Sequence, residues 1–454
     1  MENEQKFSSM LTKLGVAQLN EMQLAAHKSI IENKNVLLLS PTGSGKTLAF
    51  LLPIFELMQQ GKTNVQSLIL TPSRELALQI EQVWKKMQTG YKVNVCYGGH
   101  SKLIEIQNLS TPPALLIGTP GRIMDHIQRK SFDFNEVEYL VLDEFDKSLD
   151  LGFQEQMSFI IRCLGQLKKR VLVSATASIE IPAFVGAKHY SELNFLAENS
   201  TKKDFELKVV ISEDKDKIDT LLNLICSLNE EAALIFCNHR AAVERTCELL
   251  KEKGIVATFY HGGMDQDDRE RSLVQFRNGS INYLITTDLA ARGLDIPEMK
   301  HVIHYHPSAT EEEFIHRNGR TARMHASGTA YLILNKEEQQ PKYIDKKIEV
   351  LELSANYKLP KPPDFTTLYI NGGKKNKLNK VDIVGFLAQK GKLEKNEIGL
   401  IEVKDFSSFV AVKESKLKTL LSLIKEEKIK GKKYKIEVAN TKIVVKERER
   451  KRKN

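Results

Sequence analysis

Eight consecutive residues, Ser40-Pro41-Thr42-Gly43-Ser44-Gly45-Lys46-Thr47, have the types and spacing needed to hold a chain of phosphates. Gly43 and Gly45 let the backbone approach closely enough for its N–H groups to point at phosphate oxygens, and a helix opening at Lys46 adds its positive end. In such a loop the lysine reaches the β- and γ-phosphates, and the hydroxyl of Thr47 serves Mg2+. The generic pattern begins with Gly, where this chain has Ser40. A second reactive group, Asp143-Glu144-Phe145-Asp146, stands directly after the apolar run Tyr139-Leu140-Val141-Leu142. An acidic pair in that position suits nucleotide hydrolysis, with Asp143 holding Mg2+ through water and Glu144 polarising the attacking water. The alternative for it is a cluster that caps a helix.

These groups need strands and helices to aim them. The apolar runs 36–39, 67–70, 93–97, 114–117, 139–142 and 170–173 read as short buried strands alternating with helices, the pattern of a doubly wound parallel sheet. In such a sheet ligands sit beyond the carboxyl ends of the strands. Those ends carry Pro72 and Arg74, Gly98-Gly99, and Thr119-Pro120-Gly121-Arg122, a rim fitted to a sugar-phosphate backbone. The hydroxyls of Ser174-Ala175-Thr176 are placed to link the acidic pair to it. Upstream, Phe7 and Gln23 are candidates for reading an adenine ring and its edge, with simple packing as the alternative. A second alternating pattern follows. Strand 233–236 leads into Cys237-Asn238-His239-Arg240, 257–260 into His261-Gly262-Gly263-Met264, and 283–285 into Thr286-Thr287-Asp288, with no second Gly-Lys-Thr.

The charge is uneven. Of 67 Lys+Arg and 58 Asp+Glu, residues 365–454 hold 24 and 11, leaving 43 and 47 for the first 364. The basic excess belongs to one end and points to an appended nucleic-acid-binding module. There the order strand (366–370), helix (380–389), strand (400–403), strand (409–412), helix (415–426), strand (435–438) is that of an RNA-recognition fold. Its aromatic platform is incomplete, since 405–412 keeps only Phe409-Val410 of the usual pattern. Base stacking is therefore expected to be secondary to Lys374, Lys375, Lys377, Lys430, Lys432 and Lys433.

No segment reaches the roughly 18 apolar residues of a membrane span, and the first residues lack the basic and apolar parts of a signal peptide. A cytoplasmic protein is expected. Cys96, Cys163, Cys226, Cys237 and Cys247 include no Cys-x-x-Cys pair, so neither a disulfide framework nor a zinc site is expected, and all five read as buried thiols.

In this order the motifs resemble those of the DEAD-box RNA helicases over about four-fifths of the chain. One departure is plain: the third position of the name-giving Asp-Glu-Ala-Asp is enlarged to Phe145, which bears on packing beneath the site more than on its chemistry. The resemblance implies two tandem RecA-like doubly wound domains and a C-terminal α+β RNA-recognition-like (ferredoxin-like) domain. The boundaries expected are 1–195, a linker 196–203, 204–355, a proline-rich linker 356–364, 365–445 and a basic tail 446–454. It implies ATP and Mg2+ as cofactors and an ATP site built on Phe7, Gln23 and residues 42–47. Ala291-Arg292-Gly293-Leu294-Asp295 and His316-Arg317-Asn318-Gly319-Arg320-Thr321-Ala322-Arg323 resemble the family's fifth and sixth motifs. Gly293 and Asp295 would then bind the nucleotide, Asp295 at its ribose, while Arg320 and Arg323 would reach the γ-phosphate when ATP and RNA draw the two domains shut. RNA would meet Pro72, Arg74, Gly99, Thr119, Pro120, Arg122, Arg240, Thr287, Lys374 and Lys432. A recognition domain behind a helicase core is similar to the DbpA subfamily, which acts on 23S ribosomal RNA during large-subunit assembly. The activity implied is ATP-dependent unwinding of short RNA duplexes by a monomer. Two rivals are an RNA clamp with little turnover, its site damaged by Phe145, and a DNA helicase.

Overall fold

The computed structural model describes the chain except for residues 1, 42, 100, 177–179, 197–204, 289–295, 297–298, 320–327, 345–347, 355–357 and 440–454. Three sheets are formed by strands β1 (Asn35–Leu39), β2 (Ser67–Leu70), β3 (Val93–Cys96), β4 (Leu115–Gly118), β5 (Tyr139–Leu142), β6 (Lys169–Ser174), β7 (Ser191–Asn194), β8 (Phe205–Ser212), β9 (Ala233–Phe236), β10 (Ala257–Tyr260), β11 (Tyr283–Thr286), β12 (His301–His304), β13 (Gly328–Asn335), β14 (Glu349–Val350), β15 (Phe365–Ile370), β16 (Ile398–Val403), β17 (Ser408–Lys413) and β18 (Ile436–Val438).

The first sheet has the order β3-β4-β2-β5-β6-β1-β7, every pair parallel. A parallel sheet is buried on both faces, which is why its strands read as continuous apolar runs. Val36 and Leu38 enter one core with Phe50, Ile54, Ile80 and Trp84, while Leu37 and Leu39 enter the other with Ile123, Ile160 and Met157. Helix Lys46–Leu57 starts at the lysine of the phosphate loop. Helix Arg74–Met87 starts after Ser73, whose hydroxyl accepts a hydrogen bond from the Leu76 N–H, a cap that contributes about 1 kcal/mol.

The second sheet repeats the plan in the order β10-β11-β9-β12-β13-β8-β14, again all parallel. Strands β7, β8, β12, β13 and β14 were not among the sequence expectations. β7 and β14 lie on sheet edges, β7 polar and half-exposed and β14 only two exposed residues, so they give no apolar run to read.

The third sheet is antiparallel, β16-β17-β15-β18, with helices Lys380–Gln389 and Glu414–Ile424 packed on one face through Ile383, Phe386, Leu387, Leu420 and Ile424. The fold class is thus two parallel α/β sheets followed by a small α+β domain. No described helix is long and apolar enough to cross a membrane. Of the cysteines, Cys96, Cys237 and Cys247 are buried, whereas Cys163 and Cys226 are half-buried, so the expectation of five buried thiols holds for three.

Candidate nucleotide and RNA site

Strand order does what linear spacing cannot. Along one rim of the first sheet, the carboxyl ends of β3, β4 and β2 bring Gly99, Thr119, Pro120, Pro72 and Arg74 side by side. The ends of β5, β6 and β1 then place Asp143, Ser174 and the phosphate loop in succession.

The loop leaves β1 beside β6, with the Ser40 N–H donating to the Ser174 carbonyl at 3.0 Å. The residue that departs from the generic pattern has a use of its own: the Ser40 hydroxyl donates to Ser44 Oγ at 2.7 Å. Lys46 Nζ donates to the Ser40 carbonyl at 2.8 Å. Gly45 has φ +90°, and a Cβ there would lie 2.4 Å from Gln23 Nε2, so only glycine fits. Gln23 is buried and its amide is engaged at both ends, accepting from the Asn20 N–H at 3.0 Å and donating to the Gly45 carbonyl at 3.2 Å. Asn20 Nδ2 donates to the Ser44 carbonyl at 3.0 Å. The start of helix Glu21–Glu32 therefore braces the phosphate loop. Phe7 is half-buried, edge-on to His27 at 5.5 Å and to Phe55 at 6.2 Å.

Asp143 is buried, and its Oδ1 accepts the Glu144 N–H at 3.0 Å. Burial, and then the neighbouring Glu144, push its carboxyl up to about 7, with the Lys46 ammonium opposing. Glu144 sits at φ 46°, a left-handed conformation that costs a non-glycine residue about 1–3 kcal/mol. Its Oε2 is buried with no hydrogen-bond partner among the described residues. Two crowded carboxylates, one of them with an unpartnered buried oxygen, beside the loop that carries Lys46 and Thr47 form a hard-oxygen donor set, which fits a divalent cation such as Mg2+. Phe145 points away from this chemistry. It is fully buried in the core beneath β2, β5 and β6, so the enlarged position is absorbed by packing. Thr176 Oγ1 donates to Asp146 Oδ2 at 3.1 Å, and the Thr176 N–H donates to Ser174 Oγ at 3.0 Å.

On the other half of the rim, the Arg74 guanidinium lies over Gly99, where a Cβ would be 2.6 Å from Nη1. Thr119 precedes helix Pro120–Gln128, and its hydroxyl makes no capping bond. Arg122 is only 9% exposed, with Nη1 3.1 Å from Glu105 Oε2, and His126 Nε2 lies 2.7 Å from the same oxygen. Pulling Arg122 away would leave the buried Glu105 carboxylate to His126 and the Tyr97 N–H, without its guanidinium partner, a loss that an exposed phosphate contact does little to offset. Its first employment is structural.

In the second sheet β10, β11 and β9 are adjacent, so Gly262-Gly263, Thr287 and Arg240 share a rim; Arg240 Nη1 would lie 3.4 Å from a Cβ at Gly263. Sequence reading passed over Arg317. It is 1% exposed and grips Asp288 with two bonds, Nε to Oδ1 at 2.5 Å and Nη2 to Oδ2 at 2.6 Å. It also donates to Asn238 Oδ1 at 2.9 Å and to the His306 carbonyl at 2.6 Å, tying the ends of β9, β11 and β12 together. Its place in the Arg-rich motif Arg317 to Arg323 is the sequence signal that marks it. Thr42, Gly293, Asp295, Arg320 and Arg323 lie outside the described residues, as do most of the 196–203 linker and the 446–454 tail. Lys374 and Lys432 are exposed on the third domain.

A phosphate loop and carboxylate pair on one parallel sheet, followed by a second parallel sheet that lacks such a loop, define a nucleotide-driven enzyme of the two-domain helicase class. Three family models match in chain order: DEAD/DEAH box helicase over residues 20–184, Helicase conserved C-terminal domain over 216–325, and DbpA RNA binding domain over 367–438. The ATP-dependent RNA helicase DbpA of Bacillus subtilis (strain 168) is 30% identical, across 95% of this chain and 96% of its own length. That of Escherichia coli (strain K12) is 31% identical, across 93% and 94%. Among solved structures, S. cerevisiae Dbp5 bound to RNA and ADP BeF3 aligns with a TM-score of 0.67 at 25% identity, covering 76% of this chain and 93% of that one. Mss116p bound to ssRNA and AMP-PNP gives 0.66 at 26%, covering 77% of each. The chain belongs to the DEAD-box ATP-dependent RNA helicases and carries a DbpA-type RNA-binding domain.

Proposed function

We propose that this helicase separates short RNA duplexes in 23S ribosomal RNA during assembly of the large subunit, acting as a cytoplasmic monomer. The observation that supports the coupling of ATP to RNA is the adjacency of the two half-rims of the first sheet, which meet where β2, leading to Pro72 and Arg74, lies beside β5, with the Asp143 N–H donating to the Leu70 carbonyl at 2.9 Å. Lys46 exchanges the Ser40 carbonyl for the β- and γ-phosphates, cradled by Thr42, Gly43, Ser44 and Gly45. Thr47 and Asp143 would hold Mg2+, which neutralises charge on the phosphates. Glu144 orients and polarises the attacking water. Arg320 and Arg323 stabilise charge developing on the γ-phosphate, and Gly293 and Asp295 hold the nucleotide, Asp295 at its ribose. Phe7 and Gln23 flank the adenine. Gln23 then has a second task, since its amide also braces Gly45.

RNA backbone is met by Pro72, Arg74, Gly99, Thr119 and Pro120 on the first domain, with Arg122 holding that rim in shape. Arg240 and Thr287 meet it on the second, and Lys374 and Lys432 on the third. The divisions proposed are 1–195, 204–355 and 365–445, joined by 196–203 and 356–364 and followed by the tail 446–454. The packing of Phe145 into the core, away from Asp143 and Glu144, supports an intact site over a clamp with a damaged one.

The test is ATPase activation of the full chain by a 23S rRNA fragment against an unrelated hairpin of equal length. Selective activation by the fragment is expected. Equal activation would make the third domain a general tether and overturn the ribosomal assignment.

A further inference from the structure

The face of the third sheet turned away from its helices carries Thr367 paired with Ala411, and Tyr369 paired with Phe409. In an RNA-recognition fold such a face, with aromatic residues on its two central strands, is where bases stack. Here helix Gln266–Arg277 of the second parallel domain and the turn after it lie on that face. Both belong to one compact unit, residues 204–291 with 296–454. Val274 packs with Phe409 and Ala439, with Tyr369 at their edge. The Arg271 guanidinium stands 4.6 Å above the Tyr369 ring. Arg277 Nη2 pairs with Glu402 at 2.7 Å. Asn278 Nδ2 donates to Thr367 Oγ1 at 2.8 Å, and Thr367 Oγ1 donates to Ser280 Oγ at 2.9 Å. The Gln275 amide donates to the Ala439 carbonyl. Thr367 is 1% and Phe409 2% exposed. The hydroxyl and amide groups of Thr367, Asn278, Ser280 and Gln275 find partners and the apolar groups are covered, as in a built interface.

We infer that this contact is a permanent dock. It makes the recognition module and the second parallel domain one body, removes Tyr369 and Phe409 from base recognition, and leaves RNA to be received at the loop end of the module. Three segments meet at that end. The Lys374 N–H donates to the Lys404 carbonyl at 2.8 Å and the Lys375 N–H to the Asp405 carbonyl at 2.9 Å. Lys430 Nζ donates to the Lys377 carbonyl at 3.1 Å. Lys374, Lys375, Lys377, Lys430 and Lys432 are all exposed. At the hairpin tip Phe406 is 51% exposed, and Lys432 Nζ stands 5.5 Å over the Tyr434 ring. A lysine rim around an outward aromatic ring suits the phosphates of a folded RNA with an unpaired base to stack. Stacking on Tyr369 would instead first require breaking the Arg277–Glu402 pair and stripping Thr367 of its partners.

This inference rests on reading the third domain as the RNA-selecting part. The test uses the full chain with the photo-crosslinker p-benzoylphenylalanine in place of Phe406 or Tyr369, and a 23S rRNA hairpin as probe. Position 406 is expected to capture RNA, and position 369 to capture the chain's own helix Gln266–Arg277 with or without RNA. In parallel, Arg277→Glu and Glu402→Arg should each speed amide exchange in β15 by about tenfold, and the double variant should restore protection. RNA capture from position 369, or β15 exchange unmoved by either reversal, overturns the dock. RNA capture from neither position, with the exchange pattern intact, overturns the loop-end assignment along with the RNA reading of the module.

Discussion

The hydroxyl of Thr176 donates to Oδ2 of Asp146 at 3.1 Å, bridging the loop after β6 to the acidic motif after β5. Asp146 is nearly buried, so the bond is made in a poorly solvated setting where it has weight. It connects the acidic motif that carries Asp143 and Glu144 to the segment next to it on the rim. Thr176→Val keeps the shape and removes the donor. RNA-stimulated ATP hydrolysis should fall by less than about threefold while strand separation falls by about tenfold or more. Parallel assays of phosphate release and duplex displacement check this, and equal losses in both would place Thr176 in hydrolysis itself.

Lys46 and Glu144 should separate binding from turnover. Lys46→Ala removes the cation of the phosphate loop and is expected to weaken nucleotide binding by about 100-fold, consistent with 2–3 kcal/mol for a charge-assisted contact. Glu144→Gln keeps the volume, relieves the crowding with Asp143, and should bind nucleotide and RNA well while hydrolysis drops by about 100-fold or more. Fluorescent-nucleotide titration and single-turnover hydrolysis distinguish the two; wild-type turnover in Glu144→Gln would remove Glu144 from the reaction.

Arg320 should matter only where charge develops. Arg320→Ala is expected to lower kcat by about 1000-fold with nucleotide affinity nearly unchanged. Affinity lost in proportion to rate would instead assign Arg320 to ground-state binding, which steady-state kinetics with equilibrium titration resolves.

Two histidines, His304 buried and His306 half-buried, give the second parallel domain an acid limit. Burial holds His304 down at about 3, helped by the Arg317 charge, and holds His306 down at about 4. Both are depressed below the ordinary value near 6.5. The stability each contributes is therefore complete above 6.5 and is lost as pH falls toward the folded value. The loss is about 1.4 kcal/mol per pH unit for each histidine below 6.5. Denaturant unfolding between pH 7 and 5 should show this slope, and His304→Asn should reduce it by about half even if it lowers stability throughout.

The sequence by itself determined the local chemistry. Ser40 to Thr47 closes on its own backbone, Lys46 opens the helix that follows, and Asp143-Glu144 ends an apolar strand. Each of these depends on neighbours along the chain, so spacing is enough to find them. The three-layer plan was legible for the same reason, because the central strands are short apolar runs punctuated by turn residues. Tertiary structure decided what only strand order and packing can decide. It set Gly99, Thr119 and Arg74 beside one another and then in line with Asp143 and the loop. It spent Arg122 on Glu105, turned Gln23 toward Gly45, and made Arg317 the tie among three strands. It also covered Tyr369 and Phe409 with a helix from another domain. The reason is physical: a side chain's type fixes which partners satisfy it, but whether it meets a ligand or another part of the protein depends on which distant surfaces the fold brings within a few ångströms.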